Sequence, residues 1–210
     1  MKLYSYWRSS TSYRVRIALN LKGVAYEYHG INLREGEQLS GEFLQLNRSG
    51  AVPVLQLPDG RDLAQSMAIL DYLEQTVPEP ALLPTDPFHR ARVLSAAQIV
   101  ASDIHPVNNL KVLKKLEAAF GATAKDKVGW MNDWMAVGFD ALMKVIDPDA
   151  DYCFASGLSW ADICLVPQLY NAQRWGMDLT NYTRLTEIAE RCLTLPAFEQ
   201  ARPENQPDAH

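Results

Sequence analysis

The chain has 210 residues, 48% hydrophobic and 21% charged, which is enough apolar content to bury a sizeable core in one or two domains. Its formal net charge of -5 excludes a broad basic footprint for nucleic acid, so an acidic ligand would need locally placed cations. No apolar run approaches membrane-spanning length, Met1-Lys2-Leu3-Tyr4 carries no signal-peptide pattern, and Cys153, Cys164 and Cys192 lack CxxC or CxxH spacing, so the sequence predicts a cytoplasmic protein with no membrane contact, disulfide framework or metal site.

The first part reads as alternating short strands and helices: Leu3–Tyr6 as a strand, Ser12–Lys22 as a helix, Ala25–Tyr28 as a strand and Glu37–Gln45 as a helix. Between the first two elements lies Arg8-Ser9-Ser10-Thr11-Ser12, four hydroxyl residues where a strand turns into a helix. The unpaired amides and dipole of a helix's first turn favour an anion, and adjacent hydroxyls can donate to it, so this junction is a candidate site with the helix starting near Thr11. Val15, Ala18 and Leu19 recur at helical spacing, and Gly23 follows as a cap.

Val52-Pro53-Val54-Leu55-Gln56-Leu57, the turn Pro58-Asp59-Gly60 and Arg61-Asp62-Leu63 predict a β-hairpin, and Gln65–Gln75 predicts a helix, which completes a βαβαββα order. Proline at the opening of a strand removes a ladder donor, so Pro53 belongs at an edge or a cis turn, and the Val52 backbone is left able to pair with a short peptide. Alone, Val52-Pro53 is compatible with a plain turn, and Gln65-Ser66 with an ordinary helix cap. Two helix starts and a strand edge in one small domain together predict capture of a peptide-like anion at several points.

Four prolines between Val77 and Pro87 mark an interdomain linker. Beyond it Val93, Ala97, Val100 and Ile104, then Val128, Met131, Met135, Gly138, Leu142 and Val145, recur at helical spacing and predict core-facing helices. Ser159-Trp160-Ala161-Asp162 has capping-box spacing and reads as a structural helix start before a helical run to Trp175. His105, Asn108 and Asn109 would share one polar face if the helix persists past Pro106, although a solvated or interface face would look the same. The three cysteines read as packing residues, and Ala201–His210 as a frayed tail.

Ser9-Ser10-Thr11-Ser12-Tyr13-Arg14-Val15-Arg16-Ile17-Ala18-Leu19, with Val52-Pro53, Gln65-Ser66, Ile104–Leu110 and Ser159–Asp162, resembles the zeta class of glutathione transferases over nearly the whole chain. The likeness is to its maleylacetoacetate isomerase and maleylpyruvate isomerase branch. It implies an α/β plus all-α architecture: a thioredoxin-like glutathione-binding domain at 1–80, a linker at 81–87 and an all-helical domain at 88–210 that forms the substrate pocket, usually in a homodimer. The implied activity is glutathione-dependent cis-trans isomerisation of a maleyl keto acid in aromatic catabolism, with glutathione as cofactor and a small acidic keto acid as substrate. A conjugating or α-halo-acid-dehalogenating transferase, or a noncatalytic glutathione-binding stress protein, are the alternatives.

Carried over by position, the resemblance implies that Ser9 donates to the glutathione sulfur with Ser10 and Thr11 nearby, and that Val52, before Pro53, pairs with the cysteinyl backbone. It implies that Gln65 and Ser66 hold the γ-glutamyl end, that Gln38 lies near the glycyl end, and that His105 and Asn109 approach glutathione from the same or a neighbouring subunit, with Lys111 adding positive charge. Arg8 and Arg174 are implied partners of substrate carboxylates. Many members carry Cys at the third place of the hydroxyl cluster; Thr11 stands there in this chain and excludes covalent chemistry by a protein cysteine at that place.

Overall fold

The computed structural model describes residues 1–210, and the chain divides into two compact units, 1–81 with 193–210, and 82–192. The first is built on a four-stranded mixed sheet in the order β2-β1-β3-β4. Its elements are β1 (Lys2–Ser5), α1 (Ser10–Leu21), β2 (Glu27–Gly30), a 3-10 turn (Glu37–Leu39), α2 (Gly41–Leu46), β3 (Val54–Gln56), β4 (Asp62–Ala64) and α3 (Ser66–Thr76). Strand β1 runs parallel to β2 and antiparallel to β3, which pairs antiparallel with β4. This is the thioredoxin-like arrangement expected of the βαβαββα order. The stripe Val15, Ile17, Ala18 and Leu19 of α1 is wholly buried, with Leu3 and Leu55 of the sheet and Ile69, Leu70 and Leu73 of α3.

Local chemistry sets the element ends. Gly23, with φ 64°, follows α1 in the left-handed conformation that only glycine adopts freely, and the Val24 N–H then closes on the Leu19 carbonyl at 2.9 Å. The helix expected at Glu37–Gln45 is broken at Ser40, whose backbone is extended and whose hydroxyl accepts from the Phe43 N–H at 3.2 Å to start α2 afresh. The β3–β4 hairpin closes with Leu57 N–H donating to the Arg61 carbonyl at 2.8 Å. The buried Lys22 ammonium pairs with Glu74 at 2.8 Å and donates to the carbonyls of Pro78 and Pro80, so the chain leaving α3 is tied back to the end of α1.

The tail expected to fray is ordered, and residues 193–210 belong to the thioredoxin-like unit and not to the helical domain in which the sequence reading placed them. Helix α9 (Pro196–Ala201), beyond α8 (Thr183–Leu193), buries Phe198 and Ala201 completely. The Arg16 Nε donates to the Ala201 carbonyl and Asn20 Nδ2 to that of Ala197, each at 3.0 Å. Asp208 then accepts from the Trp7 N–H at 3.2 Å and the Tyr28 hydroxyl at 2.6 Å. These partners lie at the opposite end of the chain, so local composition could not announce them.

The second unit is helical, with α4 (Pro87–Gln98), α5 (Leu110–Phe120), α6 (Ala124–Val145), α7 (Trp160–Arg174) and most of α8. Val93, Ala97, Val100, Ile104, Met131, Met135, Gly138 and Leu142 are all buried, as their spacing required, while Val128 and Val145 near the two ends of α6 are half-buried. After Gln98 the helix widens to a π turn through Ile99–Ile104, where the His105 N–H reaches back to the Val100 carbonyl at 3.0 Å. The start of α7 is held as the Ser-x-x-Asp spacing predicts: fully buried Asp162 accepts from the Ser159 N–H and hydroxyl, and also from the Cys153 N–H, each at 2.8 Å. All three cysteines are free and buried, and burial pushes the Cys153 thiol well above its ordinary value, consistent with packing residues.

Candidate active site

The hydroxyl cluster forms the entry to α1. Ser9 is the N-cap of a helix that begins at Ser10, one residue before the start expected at Thr11, and its oxygen accepts from the Ser12 N–H at 3.2 Å. The Tyr13 N–H closes on the Ser9 carbonyl at 2.9 Å, leaving the N–H groups of Ser10 and Thr11 as first-turn donors. Ser9 Oγ lies 2.9 Å from Thr11 Oγ1, and the Thr11 hydroxyl donates to the Val52 carbonyl at 3.0 Å. Ser9 and Thr11 of the hydroxyl cluster and Val52, predicted apart from it, are thus joined by one chain of hydrogen bonds.

The Val52-Pro53 peptide bond is cis, in keeping with one of the two geometries its sequence allowed. The Val52 side chain is buried with Tyr6, Trp7, Ile31, Phe43 and Val54, and its N–H makes no hydrogen bond within the chain. Gln65, immediately before α3, has φ 73° and ψ 117°, a conformation rare for a residue other than glycine and costing on the order of 1–3 kcal/mol. Its side chain is exposed and caps nothing, while Ser66 starts the helix and its oxygen accepts from Arg14 Nη1 at 3.4 Å. Gln38 is buried; its Nε2 donates to the Leu33 carbonyl at 3.4 Å and its Oε1 lacks a partner. Arg8 is half-buried, stacked 4.3 Å from the Trp7 ring centroid, with Nη2 donating to the Tyr6 hydroxyl at 3.4 Å.

In the helical unit the polar face imagined for His105, Asn108 and Asn109 does not exist. Proline at 106 has no N–H to extend the ladder, and the chain turns, with Asn108 N–H on the His105 carbonyl at 3.2 Å. Asn108 is buried and donates to the Met131 carbonyl at 3.3 Å. Asn109 caps α5, its Oδ1 accepting from the Lys111 N–H at 3.3 Å, and the Lys111 side chain is exposed. Arg174, the last residue of α7, is exposed with its guanidinium 4.6 Å from the Trp175 ring centroid.

Two arginines that the sequence reading passed over hold the site in shape. Arg16 is fully buried and donates to the Ser5 hydroxyl and to the carbonyls of Tyr6 and Trp7, which fixes the turn leading into Ser9. Arg14 links α1 to the first residue of α3. The available signal was their position: both interrupt the apolar residues of an otherwise buried helix, where a charged side chain persists only with partners. Asp208 offered no local signal.

The arrangement supplies helix-start amides, a hydroxyl at the helix cap, and a strand-edge backbone, which suits a short peptide ending in or carrying an anion. Residues 8–76 match the model of the glutathione S-transferase N-terminal domain. The probable maleylacetoacetate isomerase of Vibrio cholerae is 48% identical over 99% of this chain and 97% of its own length. A maleyl pyruvate isomerase solved in its holo form, described as a bacterial zeta-class glutathione S-transferase, superposes with a TM-score of 0.96 at 44% identity, covering all of both chains. The maleylacetoacetate isomerase of Methylobacterium extorquens AM1, solved with bound malonate and GSH, superposes with a TM-score of 0.96 at 38% identity, again over all of both chains. Full-length identity of this order, on a fold that carries the same sheet and helices, makes this chain a member of the zeta-class glutathione transferase family, in its maleylacetoacetate and maleylpyruvate isomerase branch.

Proposed function

We infer that this chain is a glutathione-dependent cis-trans isomerase that converts a maleyl keto acid, maleylacetoacetate or maleylpyruvate, to its fumaryl isomer. The observation that carries this reading is the hydrogen-bonded Ser9–Thr11–Val52 chain at the α1 start, set in a full-length relative of isomerases of both names. The residues fit glutathione: a peptide backbone has the Val52 N–H and carbonyl to pair with, a carboxylate has the start of α3 at Gln65-Ser66, and a thiolate has the start of α1. When bound, glutathione supplies a sulfur nucleophile able to add reversibly to an activated double bond.

The chain's own part is positional and electrostatic. Ser9, with the Ser10 and Thr11 amides, lowers the thiol pKa from about 8.5 by offering donors to the thiolate. Thr11 leaves no protein thiol there to compete. Val52, kept at the strand edge by Pro53, aligns the cysteinyl backbone, and Gln65 and Ser66 hold the γ-glutamyl end. Gln38, His105, Asn109 and Lys111 complete the cofactor contacts in this reading; the first is the least direct, since its amide is turned to Leu33. Arg8 and Arg174 receive the substrate carboxylates, as charge-assisted pairs suit a dicarboxylate. Malonate bound to the Methylobacterium extorquens relative is a dicarboxylate and supports that substrate class. In this reading the enzyme works in the cytoplasm as a homodimer serving aromatic catabolism; three free buried cysteines suit a reducing compartment.

Purified protein assayed on both keto acids, with and without glutathione, tests the reading. Turnover that requires glutathione yet leaves its concentration unchanged is expected, with losses of roughly 100-fold or more in kcat/KM for Ser9→Ala and of roughly tenfold or more for Arg174→Ala. Glutathione-independent turnover, or unchanged rates in both variants, refutes it. Stoichiometric loss of the thiol would instead identify a conjugating transferase.

A further inference from the structure

The hydroxyl chain at the α1 start has a definite polarity. A threonine oxygen carries one proton, and Thr11 spends it on the Val52 carbonyl. At 2.9 Å, Ser9 must therefore be the donor to Thr11, while its own oxygen accepts from the Ser12 N–H. In this arrangement Ser9 turns its proton inward and offers an anion only oxygen lone pairs. Rotating the Ser9 proton outward while Thr11 keeps its own on Val52 would leave two hydroxyl oxygens facing each other with no hydrogen between them.

We propose that Thr11 is a positioning residue, a two-position hydroxyl relay that turns the Ser9 proton toward a bound thiolate when a peptide N–H replaces Thr11 at the Val52 carbonyl. The inference rests on the glutathione reading above. The cysteinyl N–H keeps the Val52 carbonyl satisfied, which frees the Thr11 hydroxyl to rotate and donate to Ser9 when a thiolate draws the Ser9 proton outward. Ser9 then accepts from both Thr11 and Ser12, which polarises its O–H outward and makes it a better donor. No bond is broken and no proton changes owner; two hydroxyl rotors turn. Capture of the tripeptide backbone and stabilisation of its thiolate are thereby linked through one side chain. A cysteine in place of Thr11 would break the link, because S–H is a weak donor and sulfur a weak acceptor.

The test uses the full-length protein, Thr11→Val as the near-isostere without a hydroxyl, and Thr11→Ser as the conservative replacement. The pH titration of bound glutathione is followed by thiolate absorbance in the ultraviolet, and the affinity for S-methylglutathione, which has a backbone but no thiolate, is measured by calorimetry. Thr11→Val is expected to lower the thiolate fraction roughly three- to tenfold on the acid side of the midpoint, the size of one hydrogen bond. Thr11→Ser should restore it to within about twofold, with S-methylglutathione affinity unchanged or tighter in Thr11→Val. An unmoved titration in Thr11→Val, failure of Thr11→Ser to restore it, or an equal loss of S-methylglutathione affinity overturns the relay. If Thr11→Val does not fold, Thr11→Ala, which also lacks the hydroxyl, carries the same expectation. Wild-type protein that shifts the thiol titration but turns over neither keto acid sinks the isomerase reading and leaves the relay standing; wild-type protein that binds no glutathione sinks both.

Discussion

Gly138→Ala is expected to destabilise the helical unit even though it replaces glycine by the best helix former. A β-carbon built on Gly138 of α6 falls 2.2 Å from Ile104 Cγ1 and 2.3 Å from its Cδ1, where ordinary carbon contacts begin near about 3.5 Å. Ile104 must therefore retreat by more than about 1 Å. It is fully buried, and its β-branch restricts the rotamers it could adopt instead. Overpacking of this kind costs about 1–3 kcal/mol, here toward the upper end, while the helix propensity gained is about 1 kcal/mol, so the net loss is about 1–2 kcal/mol. Ile104 ends the π turn directly before His105, so the displacement should also reach the 105–109 turn. Urea unfolding of Gly138→Ala, Ile104→Ala and the double variant provides the assay. Ile104→Ala alone should cost about 2–5 kcal/mol by leaving a cavity, and the new methyl should fill part of it, so the double variant should be at least about 1 kcal/mol more stable than the sum of the singles. Additive losses, or a stabilised Gly138→Ala, would refute the packing argument.

Two other outcomes follow from half-buried carboxylates, one in each unit. The Ala155 N–H at 2.9 Å, and then Arg92 at 2.9 Å, hold the Asp147 carboxyl below its ordinary value, so its stabilisation is full above an ordinary aspartate value of about 3.9 and is lost as pH falls through the lower folded value. Asp147→Asn should be less stable by about 1 kcal/mol at neutral pH, and urea midpoints should converge with wild type below about pH 4; a gap that widens in acid would contradict the sign. Asp208→Ala removes the acceptor of the Trp7 N–H and Tyr28 hydroxyl, and should cost about 1–2 kcal/mol in urea unfolding together with a measurable loss of glutathione affinity by calorimetry, since Trp7 lies in the turn that sets Ser9. Wild-type stability and affinity in this variant would show the tail to be dispensable.

The legible parts of the site were those with a local cause. Hydroxyls ahead of an apolar helical stripe, a proline opening a strand and a Ser-x-x-Asp before a helix each act on neighbours within a turn or two, and Ser9, Val52 and Asp162 stand where those patterns placed them. The shared polar face of His105, Asn108 and Asn109 failed because helical spacing was extended across Pro106, where the ladder cannot continue; the role of Asn109 as a cap is local and was readable from Asn109-Leu110 as a helix start. Gln38 was placed from a resemblance in a loop, and only the structure shows its amide Nε2 donating to the Leu33 carbonyl of that loop.

The sequence by itself determined the βαβαββα order and the helical second half, because periodicity, caps and turn signals are properties of short windows, and its motifs taken together carried the resemblance to the family. Only the tertiary structure decided that the last residues buttress the first unit, that Arg16 anchors the turn before the helix, and that the Thr11 hydroxyl joins Ser9 to the Val52 carbonyl. Each of these depends on hydrogen bonds made between separate elements, Trp7 with Asp208, Arg16 with Ser5 and the Tyr6 and Trp7 carbonyls, and Thr11 with Val52. The geometry of such pairs is fixed by how the elements pack, which no local window contains.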